Sequence, residues 1–142
     1  GNEQFKEGKL QVAVEKWTEA LALCATAEAQ GQMPPSGLVV SLYGNRSAAY
    51  ARLSEDTALI GPERLEHAEA CVADCEAAVA RDPGYVKAHY RKSTVLLACA
   101  MRQAEDERVA TLRVADVAAQ QALALAPQDA AVVQLAGRLQ TL

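Results

Sequence analysis

The amino-acid sequence predicts an all-α fold in which paired antiparallel helices stack into an α-α superhelix. Of the 142 residues 30 are alanine, and only 4% are aromatic. Alanine is the strongest helix former, whereas sheets favour β-branched and aromatic residues. Proline and glycine occur in a few short clusters, which leave long stretches of chain for helices. Small residues also recur at the same spacing in three places, and such self-similarity is typical of repeat proteins.

The chain divides into three units and a terminal segment. In each unit, residues suited to close helix packing follow one another at steps of four and three: Ala13, Trp17 and Ala20; Cys71, Cys75 and Ala78; Ala115, Ala119 and Ala122. Each step returns to the same face of a helix. We therefore expect helical hairpins at about residues 1–30, 38–83 and 84–127, with Pro83 and Pro127 ending the second and third.

Residues 128–142 are expected to form a capping helix. Their apolar residues Val132, Val133, Ala136 and Leu139 fall on one stripe at helical spacing. Such a helix would cover the apolar face of the last hairpin, which no further repeat would otherwise shield from water.

The pattern of small residues, a large residue and a helix-ending proline resembles the tetratricopeptide repeat (TPR), a pair of antiparallel helices of about 34 residues. The resemblance covers essentially the whole chain. The matching positions are Gly1, Gly8, Ala13, Trp17 and Ala20 in the first unit, Ser47, Tyr50, Ala78 and Pro83 in the second, and Ser93, Ala122 and Pro127 in the third. It implies a solenoid whose concave wall is lined by the first helix of each pair.

Three insertions lengthen the units beyond that period. About 12 extra residues lie between Ala20 and Asn45, about 12 between Ser54 and Cys71, and about 10 between Ala100 and Ala115. The first two insertions contain proline and glycine and are predicted to lengthen loops. The third contains neither residue, so it is predicted to extend helices.

Composition and charge exclude several classes of function. The net charge is -4, with 14 basic and 18 acidic residues, whereas nucleic-acid binders need a basic footprint. No apolar run approaches the roughly 18 residues that span a bilayer, so no membrane insertion is expected. Four cysteines in a chain of this size do not suggest a disulfide framework, which favours a reducing, cytoplasmic location. Because no catalytic constellation occurs, we predict a non-catalytic protein without cofactors.

The acidic residues avoid the expected concave wall. Residues 29–54 and 83–104, which contain the first helices of units two and three, hold none of the 18 acidic residues. They hold six of the 14 basic residues: Arg46, Arg52, Lys87, Arg91, Lys92 and Arg102. This segregation predicts a basic groove suited to an acidic or carboxylate-bearing peptide. The alternative is that Lys87 and Arg91, which share one helix face, belong to an ordinary solvated surface.

A narrower resemblance involves the same residues. TPR co-chaperones that bind the C-termini of the seventy- and ninety-kilodalton heat-shock chaperones carry a carboxylate clamp of two lysines, two asparagines and an arginine. Asn2 matches the first asparagine, Asn45 within LYGNRSAAY matches the second, and Lys87 and Arg91 match the last pair. The remaining lysine would fall four residues before Asn2, upstream of this chain. The resemblance further implies that Phe5 contacts the valine of a bound Glu-Glu-Val-Asp tail.

This resemblance implies a non-catalytic adaptor for chaperone C-termini. Two alternatives stay open: a scaffold that binds an internal peptide or helix of an assembly partner, and the regulatory domain of a protein phosphatase or peptidyl-prolyl isomerase. No metal site is expected at His67, Cys71 and Cys75, because one helix cannot easily surround a tetrahedral ion. These two cysteines, together with Cys24 and Cys99, are predicted to be buried packing residues.

Overall fold

The computed structural model describes residues 2–35, 37–56, 59 and 61–142, with side chains from residue 8 onward within those ranges. The described residues form six α-helices and no strand. The helices are α1 (Asn2–Ala29), α2 (Leu38–Glu55), α3 (Gly61–Arg81), α4 (Val86–Ala100), α5 (Glu105–Leu125) and α6 (Ala130–Gln140). Each helix packs against the next along the chain, and α2 also contacts α4. The predicted all-α superhelix is therefore confirmed, and α2 and α4 share one of its faces.

The first unit differs in detail from the hairpin expected at residues 1–30. Residues 2–29 form one continuous helix, α1, instead of two helices joined by a turn. The only turn-forming residue in its early part is Gly8, and a single helix-interior glycine costs only about 1 kcal/mol relative to alanine. A break at Gly8 would also require a second helix nucleus, which is costly to form. Continuation of the helix is therefore the more favourable arrangement.

The insertions mostly lengthen helices. The segment between α2 and α3 is only five residues, 56–60, so the prediction that the second insertion lengthens a loop is wrong. Helix α3 instead begins at Gly61-Pro62. The N–H groups of the first helical turn have no partner within the helix, so proline, which lacks an N–H, is favourable there. The first insertion does contribute a loop, in which Gly31 and Gly37 adopt positive φ angles of 79° and 85°. The third insertion extends α5 to 21 residues, as predicted.

Small residues make up the contacts between the paired helices. Cys71 and Ala78 of α3 and Ala88 of α4 are 0% exposed, and Cys75 is 1% exposed. All four belong to one core cluster that Tyr43, Tyr50 and Tyr85 flank. Cys24 and Cys99 are also buried, and all four cysteines are free thiols. The prediction that the cysteines are packing residues is confirmed.

Helix α6 caps the last hairpin. The Asp129 carboxylate accepts hydrogen bonds from the backbone N–H groups of Ala131 and Val132 and so begins the helix. Val132, Ala136 and Leu139 are buried, as the predicted stripe requires. Ala136 and Leu139 belong to a core cluster that also contains residues of α4 and α5. Val133 is 45% exposed, so its assignment to that stripe is wrong. It lies one residue, or about 100°, away from Val132 around the helix axis.

Candidate functional site

A groove of about 500 Å³ lies between α1, α2 and α4. Leu10 and Trp17 of α1, Asn45 and Arg52 of α2, and Tyr90 and Arg91 of α4 contribute most of its larger side chains. Ala48, Ala49 and Ala51 of α2 also line the groove, and their small side chains leave space for a ligand beside this helix. No aspartate or glutamate of the described residues lines it. We call this cavity the α2–α4 groove.

Two of the sequence-predicted site residues meet in this groove. Asn45 is exposed on α2, and Arg91 is half-buried on α4. Lys87 is exposed on α4 one helical turn before Arg91, so both cations project from the same side of that helix. Asn2 and Phe5 belong to the first two turns of α1. Their side chains lie outside the described residues.

Arg91 joins α4 to α2 through neutral groups. Its Nη1 donates to the Gly44 carbonyl oxygen at 3.2 Å and to Ser47 Oγ at 3.0 Å. Ser47 is fully buried and itself donates to the Gly44 carbonyl at 2.7 Å. A guanidinium has five N–H donors in a fixed plane, so Arg91 is oriented by these two contacts and still has donors for a ligand. Neither contact adds a negative charge to the groove.

Three other cations of the acid-free segments do not line the groove. Arg46 makes a paired contact with Asp74 of α3, with Nε–Oδ2 and Nη2–Oδ1 distances of 2.8 and 2.6 Å. The hydrogen bond to Asp74 raises the pKa of the Arg46 guanidinium. Lys92 Nζ lies 3.4 Å from Glu76 Oε1, also on α3. Arg102 lies outside the groove, beside the start of α3. Of the six basic residues of the acid-free segments, only Arg52 and Arg91 therefore line the groove, and Lys87 lies one helical turn before Arg91.

The groove also includes Tyr90 and Thr94, which the sequence analysis did not assign to a site, and Arg52, which it assigned only to the basic segments in general. Helical spacing contains the missing signal. Arg52 stands seven residues after Asn45, and Thr94 three residues after Arg91, so each returns to the face of its assigned neighbour. Extending the pattern along the two helices would have found both. Tyr90 is adjacent to Arg91 and has no such periodic signal.

The histidines and cysteines have structural partners. His89 is 7% exposed, and its Nε2 lies 2.9 Å from the Pro83 carbonyl oxygen. The ring of His67 stacks on Tyr50 with 6.0 Å between centroids. Cys71 donates a hydrogen bond to Cys75, which raises the pKa of the Cys71 thiol and lowers that of Cys75. Within the described ranges, no group of three or more potential ligands is placed to hold a metal ion.

None of the helices in the described part of the chain is long and apolar enough to cross a bilayer.

No family model matches the chain. The mitochondrial import receptor subunit TOM70 of Rattus norvegicus is 32% identical to it over 93 residues, which are 66% of this chain and 12% of the receptor. The chain thus spans only a small part of that curated relative.

Two solved structures are similar over nearly the whole chain. The Arabidopsis OM64 TPR domain has a TM-score of 0.63 at 24% identity, covering 99% of this chain and 88% of that one. The first TPR of Spaghetti (RPAP3), bound to the HSP90 peptide SRMEEVD, has a TM-score of 0.62 at 20% identity, covering 99% and 85%. This shared fold agrees with the repeat spacing in the sequence, and the chain has the fold of a tetratricopeptide-repeat domain.

Proposed function

We propose that the α2–α4 groove binds the free C-terminus of an acidic peptide, the Glu-Glu-Val-Asp tail of heat-shock chaperones of the seventy- and ninety-kilodalton classes. The protein is then a non-catalytic adaptor. The observation that carries this proposal is the composition of the groove: Asn45 and Arg91 line it together, Lys87 lies one turn away, and no acidic residue of the described part lines it.

The chemistry of the groove suits a terminal aspartate, which presents two carboxylates. Lys87 supplies a compact positive charge, and Arg91 supplies planar donors that can bind a carboxylate through two hydrogen bonds. The Asn45 amide donates without adding charge. In the proposed clamp Asn2 contributes a second amide, and Phe5 contacts the valine side chain. Capture of such short motifs is usually of micromolar order, about 8 kcal/mol.

The comparisons supply independent support. The RPAP3 domain, which is similar in fold, was solved with an HSP90 peptide ending in the same four residues.

The cysteines also fit a protein that works in a reducing compartment, because all four are free thiols inside the domain. We therefore propose that the adaptor is cytoplasmic.

Calorimetric titration with a Glu-Glu-Val-Asp peptide tests the proposal. We expect a dissociation constant in the micromolar range that weakens as salt is added, because charged groups dominate the contact. The titration is repeated with the chain extended upstream by one helical turn carrying a lysine four residues before Asn2. Absence of heat from both proteins at several hundred micromolar peptide would refute the proposal.

Two alanine variants locate the site. Lys87→Ala should lose about tenfold in affinity, since it removes one exposed charge from the clamp. Lys16→Ala also removes an exposed charge, from α1 outside the groove, and should bind like the wild type. Arg91→Ala should bind still more weakly. Equal binding by Lys87→Ala and Lys16→Ala, with unchanged helical circular dichroism, would show that the peptide binds elsewhere.

A peptide with an amidated C-terminus separates this function from a general helix- or peptide-binding scaffold. Amidation removes one negative charge and leaves the side chains intact. The clamp should lose at least tenfold in affinity, because Lys87 and the asparagines would face a neutral amide. Equal affinity for both peptides would instead indicate a groove that recognises internal segments of a partner.

A further inference from the structure

Two buried serines occupy matching repeat positions in α2 and α4. Ser47 and Ser93 are both 0% exposed, and a buried hydroxyl is costly unless it forms hydrogen bonds. The two serines form them differently. Ser93 Oγ donates to the Ala115 carbonyl oxygen of α5 at 2.8 Å. Ser93 therefore connects the two helices of the third unit, which is a packing role.

Ser47 instead directs its hydroxyl along α2 and toward α4. Its one proton is donated to the Gly44 carbonyl oxygen at 2.7 Å, so the Ser47 oxygen faces Arg91 as an acceptor. Arg91 Nη1 donates to Ser47 Oγ at 3.0 Å and to the Gly44 carbonyl oxygen at 3.2 Å. These three hydrogen bonds form a closed triangle beside the α2–α4 groove, which Arg91 lines.

The triangle holds one nitrogen of the guanidinium and leaves the others for a ligand. Within the described part of the chain, Nη1 is the only Arg91 side-chain nitrogen that forms a hydrogen bond. Because the guanidinium is planar, two acceptors at Nη1 also restrict the plane of the Nε and Nη2 donors. Without the Ser47 hydroxyl, only the Gly44 carbonyl would remain, and a single acceptor allows the guanidinium to swing about that contact.

On the basis of the proposed function, we propose that Ser47 is a positioning residue of the anion site, whose buried hydroxyl fixes the Arg91 guanidinium in the plane that a ligand carboxylate needs. Ser47 has no exposed surface, so it cannot contact the ligand itself. Its whole contribution to peptide affinity should therefore pass through Arg91. This coupling distinguishes Ser47 from Ser93, whose hydroxyl supports the packing of α4 on α5.

Nitrogen NMR of the arginine side chains tests the positioning without any peptide. A guanidinium that rotates freely gives one averaged Nη signal, whereas a guanidinium held by hydrogen bonds gives separate signals. We expect separate Nη signals for Arg91 in the wild type and in Ser93→Ala, and an averaged signal in Ser47→Ala. Arg91→Ala identifies the signals by removing them.

Calorimetric titration with the Glu-Glu-Val-Asp peptide tests the effect on binding. Ser47→Ala should bind about fivefold more weakly, because Arg91 must then become ordered when the ligand binds. Ser93→Ala is the matched control: it removes the same group from an equally buried position and should bind within about twofold of the wild type. Ser47→Cys keeps the side-chain size with a weaker acceptor, so its affinity should lie between those of Ser47→Ala and the wild type. It gives a second test that does not depend on the folding of Ser47→Ala.

A double-mutant cycle assigns the effect to Arg91. In the Arg91→Ala background, removal of the Ser47 hydroxyl should change peptide affinity by less than about twofold, because the group that it positions is absent. The weaker binding of these variants is followed by chemical-shift titration up to millimolar peptide, and circular dichroism checks that each variant is folded.

The outcomes separate this proposal from the clamp itself. Wild-type binding together with equal losses in both backgrounds, or with equal losses in Ser47→Ala and Ser93→Ala, would overturn the role of Ser47 and leave the clamp intact. Averaged Arg91 signals in the wild type would also overturn that role. Absence of peptide binding by the wild type, with Arg91 signals that are separate only when Ser47 is present, would overturn the clamp and support the positioning of Arg91.

Discussion

Substitution of Arg46 by alanine tests whether this arginine stabilises the fold or belongs to the peptide groove. In the native structure its guanidinium makes two contacts with the Asp74 carboxylate and a third with Thr18 Oγ1 at 3.1 Å. It also lies 5.7 Å from the ring centre of Tyr43 and 5.9 Å from that of Tyr50. Removing it leaves the Asp74 carboxylate inside the helix packing without its cation.

The expected loss of stability follows from burial. The Asp74 side chain is 5% exposed and the Arg46 side chain 17% exposed, so solvent cannot replace the lost contacts without disturbing α3. Breaking a buried ion pair from one side typically costs about 3–5 kcal/mol. Since domains of this size unfold with about 5–15 kcal/mol, Arg46→Ala should leave the fold marginal. The midpoint of thermal unfolding should fall by about 10 °C.

Urea denaturation followed by far-ultraviolet circular dichroism measures this loss. The control is Arg52→Ala, an exposed arginine on the same helix, whose free energy of unfolding should change by less than about 0.5 kcal/mol. The double variant Arg46→Met/Asp74→Leu should recover most of the stability, because both charges are replaced by apolar groups. It should also bind the Glu-Glu-Val-Asp peptide normally. A loss below about 1 kcal/mol in Arg46→Ala, or lost peptide binding in the stable double variant, would refute this assignment.

Three further substitutions or reactions test the packing. A methyl group at Gly44 would overlap the Tyr85 hydroxyl and lie 3.1 Å from two carbons of the Tyr85 ring. Gly44→Ala should therefore lower the free energy of unfolding, measured in urea, by about 1–3 kcal/mol. The control is Gly137→Ala, whose methyl group would meet nothing within 4 Å and which should be neutral or stabilising. Asp129→Ala removes the cap of α6 and should cost about 1 kcal/mol, with faster amide hydrogen exchange concentrated in that helix; uniform exchange across the domain would contradict local fraying. The four buried thiols should react slowly with a thiol reagent in the native protein and completely in urea; rapid native reaction would contradict their burial.

The sequence was sufficient to predict the fold class because TPR packing is local. Helices that pair are neighbours along the chain, and positions such as Cys71, Cys75 and Ala78 mark the contact face directly. Whether Gly8 ends a helix could not be read from the same pattern. That outcome depends on the balance between a cost of about 1 kcal/mol for glycine inside a helix and the cost of nucleating a second helix.

The charges of the site were only partly predictable because residue counts along a segment do not show which helix face a residue occupies. Asn45 and Arg46 are adjacent in sequence, yet Asn45 lines the groove and Arg46 contacts α3. Adjacent residues on a helix are separated by about 100°, so one of them can face a groove while the other faces a neighbouring helix. The acids that neutralise Arg46 and Lys92 both come from α3, outside the acid-free segments.

The contrast between Arg46 and Arg91 explains how a protein of net charge -4 keeps a positive groove. Arg46 is oriented by the Asp74 carboxylate, which cancels its charge while it stabilises the fold. Arg91 is oriented by a carbonyl and the Ser47 hydroxyl, which fix its position without cancelling its charge. An arginine held by neutral acceptors needs no reorganisation to receive a carboxylate and no acid has to be displaced first. Neutral acceptors around a cation are therefore a better sign of an anion-binding site in this domain than the number of basic residues in the sequence.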